Sequence, residues 1–520
     1  MVVGDSWALF SWTFNSYNEG LDRYGMTDVR ANSAFDISIA GARAESYFSE
    51  PSRKQGIIAF LSANPGIEYC HISLGGNDLL GEWNKNMSTT QVDSLLDVLM
   101  NSLKRDIDTI SAIKPGLTFV LSGYDYPNFV ETAAFSSLHP YYDQWTDMGQ
   151  PNALEINTML SMLSQRFSDS SAVWNNVFFV NNNGLMQWTY GQTSPLLIPP
   201  YITYPEHSVP LPGGDMNYPS PRAAMALSGT DSFHLSDESF EYFIRRHIER
   251  YFWKSLRSPD TTILANDTAL NGFVSAFNYG SDMIKTGKTG NDDVHGIITF
   301  NTSELNQSFN IKNASIFLKR QNLSGTNLIN QELTLEIKSG FFGASLQVEN
   351  DDFSSSGDIS SASCTYGTVA ENGCWMRIDI PVSLLPFINN DGFTQFKIKY
   401  AYADNDNYFE FYNSNDSSVQ AFLDVKYDFS TRINCNHSTE DFFVHPNPAS
   451  EFLYINIPNS AFKNIKIDLI TIEGSIMHSK EYKLSDDNIL INISNFPNGF
   501  YLVKIQNKDY LKYFKVLKAI

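Results

Sequence analysis

Hydrophobic and polar positions follow two different patterns along the chain. Up to about residue 257, short apolar runs alternate with stretches of helical spacing, clearest over residues 91–113 and 154–167. The apolar runs read VVG, FDISIAG, EYCHISLGG, LTFVLSGY and NVFFVNN. Five short strands separated by helices predict a doubly wound parallel α/β sheet, with its functional loops gathered at the carboxyl ends of the strands.

The pattern changes at about residue 258. As far as residue 430, strands of alternating polarity are broken by Asn, Asp, Ser and Gly, which predicts a β-sandwich. The polar stretch STRINCNHSTED then leads into short strands divided by Pro-Asn and Asn-Gly turns. A chain of 520 residues is too long for one core. We therefore predict three domains, at residues 1–257, 258–430 and 439–520, the last being a small β-sandwich.

Composition and charge narrow the class of protein. Hydrophobic residues make up 42% of the chain, which is enough to build buried cores. The 57 acidic residues exceed the 36 basic ones and give a net charge of −21, which argues against nucleic acid or an anionic membrane as partner. No run of 18 apolar residues occurs, so no transmembrane helix is expected. Because an apolar strand begins at Met1, we expect the natural N-terminus to lie further upstream.

Cysteines and histidines give further expectations. Cys364 and Cys374 flank a short glycine-containing loop, and this spacing would allow a hairpin disulfide, which the sequence leaves open. Such a bond suits an exported protein, because disulfides persist in oxidising compartments. Cys70 and His71 lie in an apolar run and are expected in the core, whereas His247 is expected on the exposed face of the last helix.

The candidate chemistry lies at the ends of the predicted strands. Ser6, in VVGDSW, follows the first strand and precedes a helix, where a serine hydroxyl is exposed to substrate. Asp231 and His234 lie three residues apart in DSFHLSDESF, ahead of the last helix, for which Ser236 is the predicted N-cap. A carboxylate beside an imidazole holds Nδ1–H and leaves Nε2 free to take a proton from a serine.

A serine nucleophile also needs hydrogen-bond donors for the oxyanion that develops on an ester. Gly41, after the second apolar run, offers a backbone N–H without a side chain in the way. Asn77, in LGGND, offers its side-chain amide. The backbone N–H of Ser6 points in the same direction. Taken singly, each of these motifs is a common turn or helix cap; their combination at strand ends favours catalysis.

The order Gly-Asp-Ser, Gly41, Gly-Gly-Asn-Asp and Asp-x-x-His resembles the SGNH, or GDSL-type, hydrolase family over residues 1–257. The resemblance implies a flavodoxin-like fold, an ester substrate, a Ser-His-Asp triad and an oxyanion hole. Trp7 replaces the leucine usual in that family and bears on the shape of the pocket. The implied catalytic residues are Ser6, Asp231 and His234, and the implied oxyanion hole is formed by Ser6, Gly41 and Asn77.

Two aromatic insertions, SSLHPYYDQW and the Pro-rich residues 184–221, lack periodicity. Such insertions are typical of a lid or binding loop, although packing of the loops on themselves is an equal alternative. No metal site or cofactor is predicted. The Asp-rich loops GNDDVHG, VENDDFSSSGD and YADNDNY are calcium candidates, with solvated turns as the alternative.

The two β-domains carry their own resemblances. Residues 258–430 resemble the DNRLRE type of extracellular sandwich, which implies an accessory or carbohydrate-associated module. The last segment, with HPNPASEFLYI, DLITIEGSIMHS and NGFYLVKI, resembles the C-terminal sorting domain of the type IX secretion system. That resemblance implies recognition by the secretion machinery and export across the outer membrane of a Bacteroidetes-type bacterium; a plain β-sandwich module is the alternative.

These observations predict a secreted or surface-attached serine esterase that cleaves carboxylic esters through an acyl-enzyme, with acylated polysaccharide as one candidate substrate. A lipase or lysophospholipase is the alternative within enzymes. A catalytically inactive surface protein for glycan binding or adhesion is the alternative outside them.

Overall fold

The computed structural model describes most of the chain. The described residues are 1–24, 26, 29–192, 202–253, 261–305, 310–325, 328, 331–367, 371–401, 405–428, 443–456, 464–471, 475–483, 488–506 and 511–518. They fall into two compact units, residues 1–428 and 429–520. The predicted domain boundaries, at residues 257–258 and 430–439, lie outside the described residues and stay predictions.

A four-stranded parallel sheet lies at the start of the first unit. Its strands are β1 (Val2–Gly4), β2 (Tyr69–Ser73), β3 (Thr118–Ser122) and β4 (Val177–Val180), in the spatial order β1-β2-β3-β4. All three pairings are parallel, and the strands are apolar because helices cover them. The predicted parallel α/β architecture is therefore present, and it brings the carboxyl ends of neighbouring strands to one edge.

The predicted fifth strand, FDISIAG, does not form. Ser38 makes only an isolated parallel bridge to Gly4. The N–H groups of Ile37 and Ser38 both bond to the carbonyl of Ala34, so a turn takes up the backbone groups that a strand would pair. Phe35 points into solvent and is 73% exposed. The sheet has four strands, not five, and the flavodoxin-like arrangement is not confirmed.

Helices pack on this sheet. The long helices α5 and α7 match the two predicted helical stretches, and each begins with a capping box, at Ser88 and Asn152 respectively. A π-helical turn, Ile248–Phe252, extends the last helix. The helices are α1 (Ser6–Thr13), α2 (Ser16–Arg23), α3 (Pro51–Ala63), α4 (Gly76–Glu82), α5 (Thr89–Ile113), α6 (Tyr142–Asp147), α7 (Ala153–Val173), α8 (Leu185–Tyr190), α9 (Ala226–Gly229) and α10 (Asp237–His247).

The rest of the first unit is a β-sandwich of antiparallel strands. One sheet has the strand order β12-β11-β15-β9-β6-β7, and the other has the order β13-β14-β10-β17-β5. Strands β8 and β16 connect the two sheets. The apolar faces of the two sheets share one core. The strands are β5 (Thr261–Ala265), β6 (Gly272–Val274), β7 (Tyr279–Gly280), β8 (Met283–Thr289), β9 (Asp292–Asn301), β10 (Asn310–Ser324), β11 (Leu333–Ser339), β12 (Ile359–Ser363), β13 (Thr365–Tyr366), β14 (Trp375–Asp379), β15 (Phe393–Tyr400), β16 (Tyr408–Tyr412) and β17 (Phe422–Asp428).

The sandwich packs directly on the end of α10. Trp253 lies in the same apolar cluster as Phe317 and Trp375 of the sandwich. Arg246, which is 1% exposed, pairs with Glu371 at 2.5 Å. Because a buried guanidinium is costly without a partner, this ion pair ties the sandwich to the helix that follows the candidate active site.

The Cys364–Cys374 disulfide that the sequence left open does not form: both cysteines are free. The register of β13 against β14 pairs Thr365 with Ile378, and the N–H of Asp379 donates to the carbonyl of Cys364. Cys364 therefore lies opposite Asp379, about 17 Å along the strand from Cys374. That separation is too large for a disulfide.

The second unit is a small antiparallel β-sandwich, as predicted. Its sheets have the orders β18-β19-β22 and β21-β20-β23-β24, and they share an apolar core. The strands are β18 (Phe443–His445), β19 (Phe452–Asn456), β20 (Asn464–Thr471), β21 (Ile476–Lys483), β22 (Asn488–Asn492), β23 (Gly499–Gln506) and β24 (Leu511–Lys518). Among the described residues of the whole chain, no helix is both long and apolar enough to cross a membrane.

Candidate active site

The turn between β1 and α1 presents Ser6. Gly4 ends β1 with a φ of +145°, and a Cβ placed on it would lie 1.9 Å from the carbonyl oxygen of Ser73. Only glycine permits this close approach of two backbones. Asp5 then caps α1, because its carboxylate accepts the N–H of Trp7 at 3.0 Å. Ser6 is consequently the first residue of the helix.

The buried side chain of Asp5 stabilises this turn through hydrogen bonds. Its Oδ2 accepts the hydroxyl of Tyr124 at 2.5 Å, and the hydroxyl of Ser73 lies 3.4 Å from Oδ1. Asp5 is fully buried, and burial raises the pKa of its carboxyl to about 6 against the opposing effect of these hydrogen bonds. Sequence reasoning gave Asp5 and Tyr124 no role of their own; the only signal was the position of Asp5 ahead of the helix.

The structure brings Ser6, His234 and Asp231 together. Nε2 of His234 lies 2.9 Å from Oγ of Ser6, and Nδ1 lies 3.1 Å from Oδ2 of Asp231. These distances are within reach of proton transfer from serine to imidazole. Ser6 is only 4% exposed and both partners are mostly buried, so the hydrogen-bonded chain is largely shielded from bulk water.

Asp231 is held in place by its own turn. Its Oδ1 accepts the backbone N–H groups of Phe233 and His234, both at 2.7 Å, which leaves Oδ2 for the imidazole. Burial alone would raise the pKa of Asp231, but the hydrogen bonds and charge of His234 outweigh it and hold that pKa below its usual range. Asp231 is therefore ionised at neutral pH. Ser236 caps α10 immediately afterwards, as the sequence predicted.

Gly41 follows the stretch that is bridged to Gly4 at the end of β1, and Asn77, in α4, follows the carboxyl end of β2, so both lie at the edge of the sheet where β1 leads into Ser6. Gly41 is exposed, with a φ of +77°. The amide of Asn77, in α4, donates one hydrogen to the carbonyl of Ala42 at 3.1 Å, which leaves its second hydrogen for another acceptor. The neighbouring Asp78 accepts the N–H of Ala44 at 2.8 Å. The start of α4 thus fixes the loop that carries Gly41.

Aromatic side chains surround the imidazole. Phe10 lies edge-on to His234, with ring centroids 4.9 Å apart. Tyr141, from the insertion SSLHPYYDQW, places its hydroxyl 3.0 Å from Nδ1 of His234. The sequence predicted a lid or binding loop for that insertion, with packing of the loop on itself as an equal alternative. It did not single out Tyr141, because nothing in its spacing relates it to His234. Trp7 is buried in the core against Tyr124 and lines no open surface.

Two further histidines, His71 of β2 and His247 of α10, lie with their rings in contact. His71 is buried as predicted, with Tyr17 on its Nδ1. The expectation for His247 is wrong: it is fully buried, bonded to Ser122 at 2.8 Å and to the carbonyl of Phe243 at 2.7 Å. The face of α10 that carries His247 looks polar in the sequence, but β3 covers it through the contact with Ser122. Burial lowers the pKa of His247 to about 3, so it stays neutral.

The described residues contain no group of three or more His, Cys, Asp or Glu side chains arranged to hold a metal ion. Of the Asp-rich loops, residues 402–404 lie outside the described part of the chain. Those loops therefore stay calcium candidates from sequence only.

Comparison with known proteins gives one family match. Residues 443–518 match the family model described as "Secretion system C-terminal sorting domain". A search of curated proteins finds no match. The resemblances of residues 1–257 to SGNH hydrolases and of residues 258–430 to DNRLRE sandwiches stay predictions.

Solved structures match the chain only at low similarity. A possible lipase from Chitinophaga pinensis DSM 2588 is 15% identical with a TM-score of 0.27, covering 49% of this chain and 98% of that one. The pilus backbone RrgB from Streptococcus pneumoniae is 9% identical with a TM-score of 0.14, covering 50% and 51%. A β-glucuronidase from Ruminococcus gnavus is 6% identical with a TM-score of 0.15, covering 51% and 46%. TM-scores as low as these carry no information about the function of this chain.

The family match at residues 443–518 is therefore the informative result of the comparison. It agrees with the strands and turns from which the sequence predicted a sorting domain. Residues 443–518 are a secretion-system C-terminal sorting domain, and the protein is exported across the outer membrane by the type IX secretion system of Bacteroidetes.

Proposed function

We propose that the protein is a secreted serine esterase of the SGNH, or GDSL, type. The observation that carries this proposal is the continuous hydrogen-bonded chain from Ser6 through His234 to Asp231, with links of 2.9 and 3.1 Å. Ser6 is the nucleophile, His234 the general base and then the general acid, and Asp231 the group that orients the imidazole.

The reaction proceeds in two halves. Oγ of Ser6 attacks the ester carbonyl while Nε2 of His234 takes its proton, and the same proton passes to the departing alcohol. Water then gives a proton to Nε2 and attacks the acyl-enzyme. As the acid leaves, the proton on Nε2 passes to Oγ, which restores Ser6 and the neutral imidazole. The backbone N–H groups of Ser6 and Gly41 and the amide of Asn77 are the proposed donors to the oxyanion, each worth about 3 kcal/mol in such sites.

Two substrate classes are proposed. The proposed primary substrate is a carboxylic ester such as an acyl group on polysaccharide, in keeping with the acidic chain and its export. Two exposed leucines favour a lipase or lysophospholipase as the second candidate. Leu138 is 92% exposed and Leu227 74% exposed. Leu138 lies in the insertion just before His139 and Leu227 lies in α9. The bond from His139 to the carbonyl of Thr230 joins these two segments next to Asp231.

The remaining segments have proposed supporting roles. The sandwich within residues 258–430 is proposed as an accessory module of the DNRLRE type, and its close packing on α10 supports a structural role beside the hydrolase. The sorting domain is proposed to be cleaved or used for surface attachment once export is complete.

The test is turnover of p-nitrophenyl acetate by the purified full chain. Ser6→Ala is expected to reduce the rate to background. Ser11→Ala is the matched control, because it removes a hydroxyl from the same helix that bonds only within that helix, to the carbonyl of Ala8. Equal rates for the wild type and Ser6→Ala would overturn the proposal. Comparing acetate with octanoate and palmitate esters, and with acetylated xylan, then separates the two substrate classes.

A further inference from the structure

The Nδ1 atom of His234 has two oxygen neighbours instead of one. Oδ2 of Asp231 lies 3.1 Å from it and the hydroxyl oxygen of Tyr141 lies 3.0 Å from it. The proposed mechanism assigns a role only to Asp231. We propose that Tyr141 is a further positioning residue of the active site, whose hydroxyl oxygen shares the Nδ1–H of His234 with Asp231 and stabilises the imidazolium; this inference rests on the proposed esterase function.

The direction of this hydrogen bond follows from Asp231. The carboxylate is ionised and can only accept, and its Oδ1 is already occupied by the N–H groups of Phe233 and His234. Nδ1 must therefore carry a hydrogen, because two acceptors facing each other at 3.1 Å would repel. A nitrogen that carries a hydrogen has no lone pair left for the phenol. The Tyr141 oxygen is consequently a second acceptor of the same N–H.

The phenol is a neutral acceptor. Tyr141 is partly buried, and burial together with the negative charge of Asp231 raises its pKa above the ordinary value. It stays protonated wherever the enzyme would work. When Nε2 takes the proton of Ser6, the hydrogen on Nδ1 stays there, and the new positive charge strengthens the bonds to both oxygens. No proton passes to Tyr141 in this scheme.

The insertion that carries Tyr141 is hydrogen-bonded to the turn that carries Asp231. Nε2 of His139 lies 2.8 Å from the carbonyl of Thr230, which can only accept, so that nitrogen carries the hydrogen. Nδ1 of His139 is then free to accept the backbone N–H of Tyr141 at 3.2 Å. The ring of Phe129 packs against Tyr141 at 6.2 Å. These contacts hold the phenol in place before substrate arrives.

The variant that tests this proposal is Tyr141→Phe, which removes one oxygen and keeps the ring. Tyr142→Phe is the matched control, because it removes the same atom from the next residue, which packs on Trp145 and not on His234. With p-nitrophenyl acetate, Tyr141→Phe is expected to lower kcat about tenfold and to leave KM within about twofold, since a bond to a charged group is lost. Tyr142→Phe is expected to match the wild type.

Titration of His234 distinguishes a positioning role of Tyr141 from a purely structural role in the fold. Losing an acceptor for the imidazolium is expected to lower the pKa measured for His234 in the variant relative to the wild type. Asp231, Tyr141 and Asp5 are the titratable groups that act on His234, and Asp5 itself titrates at about 6. The pKa is therefore read directly from the ring ¹³C signal of His234, assigned with His234→Gln, and not from the rate profile alone.

The outcomes are separable. A lowered kcat and a lowered His234 pKa in Tyr141→Phe, with neither change in Tyr142→Phe, support the proposal. An unchanged His234 pKa, or a raised one, overturns it; a raised pKa would mean that Tyr141 donates to a bare Nδ1. If the wild type shows no turnover that depends on Ser6, the proposed function fails, while the titration still decides whether the Tyr141 contact exists.

Discussion

Ser6 and His234 lie 228 positions apart in the sequence, yet Oγ of one is 2.9 Å from Nε2 of the other. Two local turns produce this contact. The first is the tight passage from β1 to α1, and the second is the turn around Asp231 ahead of α10. Helices α1 and α10 pack against each other, which brings the two turns to the same edge of the sheet.

Asp231→Asn tests the orientation of the imidazole. The new side chain still accepts backbone N–H groups through its oxygen, so the turn is expected to survive. Its amide would face Nδ1 as a donor and favour the tautomer with hydrogen on Nε2, which cannot take the proton of Ser6. We expect kcat to fall about 10³- to 10⁴-fold, measured with p-nitrophenyl acetate. A loss of less than tenfold would contradict this role for the carboxylate.

Gly4→Ala tests the close approach of β1 to β2. The added Cβ would meet the carbonyl oxygen of Ser73 at 1.9 Å, so the strands must separate. The expected loss of stability is about 3 kcal/mol or more, read from thermal unfolding. Gly41→Ala is the control: it also has a positive φ, but its Cβ meets no atom within 4 Å. Its expected cost is about 1 kcal/mol. Equal losses for the two variants would show that backbone strain, not the clash, dominates.

Asp5 makes stability depend on pH. Its folded pKa of about 6 lies above the ordinary value of 3.8 for an aspartate, so the folded chain binds the proton more tightly. The contribution of Asp5 to stability is therefore fully present below about pH 4 and is lost as the pH rises through 6. Asp5→Asn removes this titration. We expect the variant to lose less thermal stability than the wild type between pH 4 and pH 7; an identical loss in both would refute the assignment.

Glu371→Gln tests the junction between α10 and the sandwich. The substitution leaves the buried guanidinium of Arg246 without its anionic partner, although its bonds to the carbonyl of Asn181 remain. The expected cost is about 3 kcal/mol, seen as a lower unfolding temperature. Lys104→Gln breaks the exposed pair with Asp108 and serves as control, with an expected cost below about 0.5 kcal/mol. Equal shifts for the two variants would argue against a buried ionic link.

The sequence allowed Ser6, His234 and Asp231 to be grouped because parallel strands end at one edge and local turns there follow simple rules. It missed the contact of Tyr141 with His234, since this tyrosine comes from an insertion without periodicity. The burial of His247 also escaped prediction, because it depends on how α10 lies against β3. The register of β13 against β14, which separates Cys364 from Cys374, is a tertiary property that cysteine spacing does not encode.

The turn at residues 34–38 explains why the predicted fifth strand is missing. Alternating polarity in FDISIAG is typical of a strand. The carbonyl of Ala34, however, accepts the N–H groups of Ile37 and Ser38, and this local pairing competes with the sheet. Pattern alone does not reveal which set of hydrogen bonds forms.

The most direct test of the central claim is covalent labelling of the nucleophile. The full chain is treated with a fluorophosphonate, digested and analysed by mass spectrometry, alongside His234→Ala. The account predicts one adduct, on Ser6, that forms in the wild type and is lost in His234→Ala, because the hydroxyl reacts only when Nε2 takes its proton. An adduct on a different residue, or no adduct on Ser6 in the folded wild type, would contradict it.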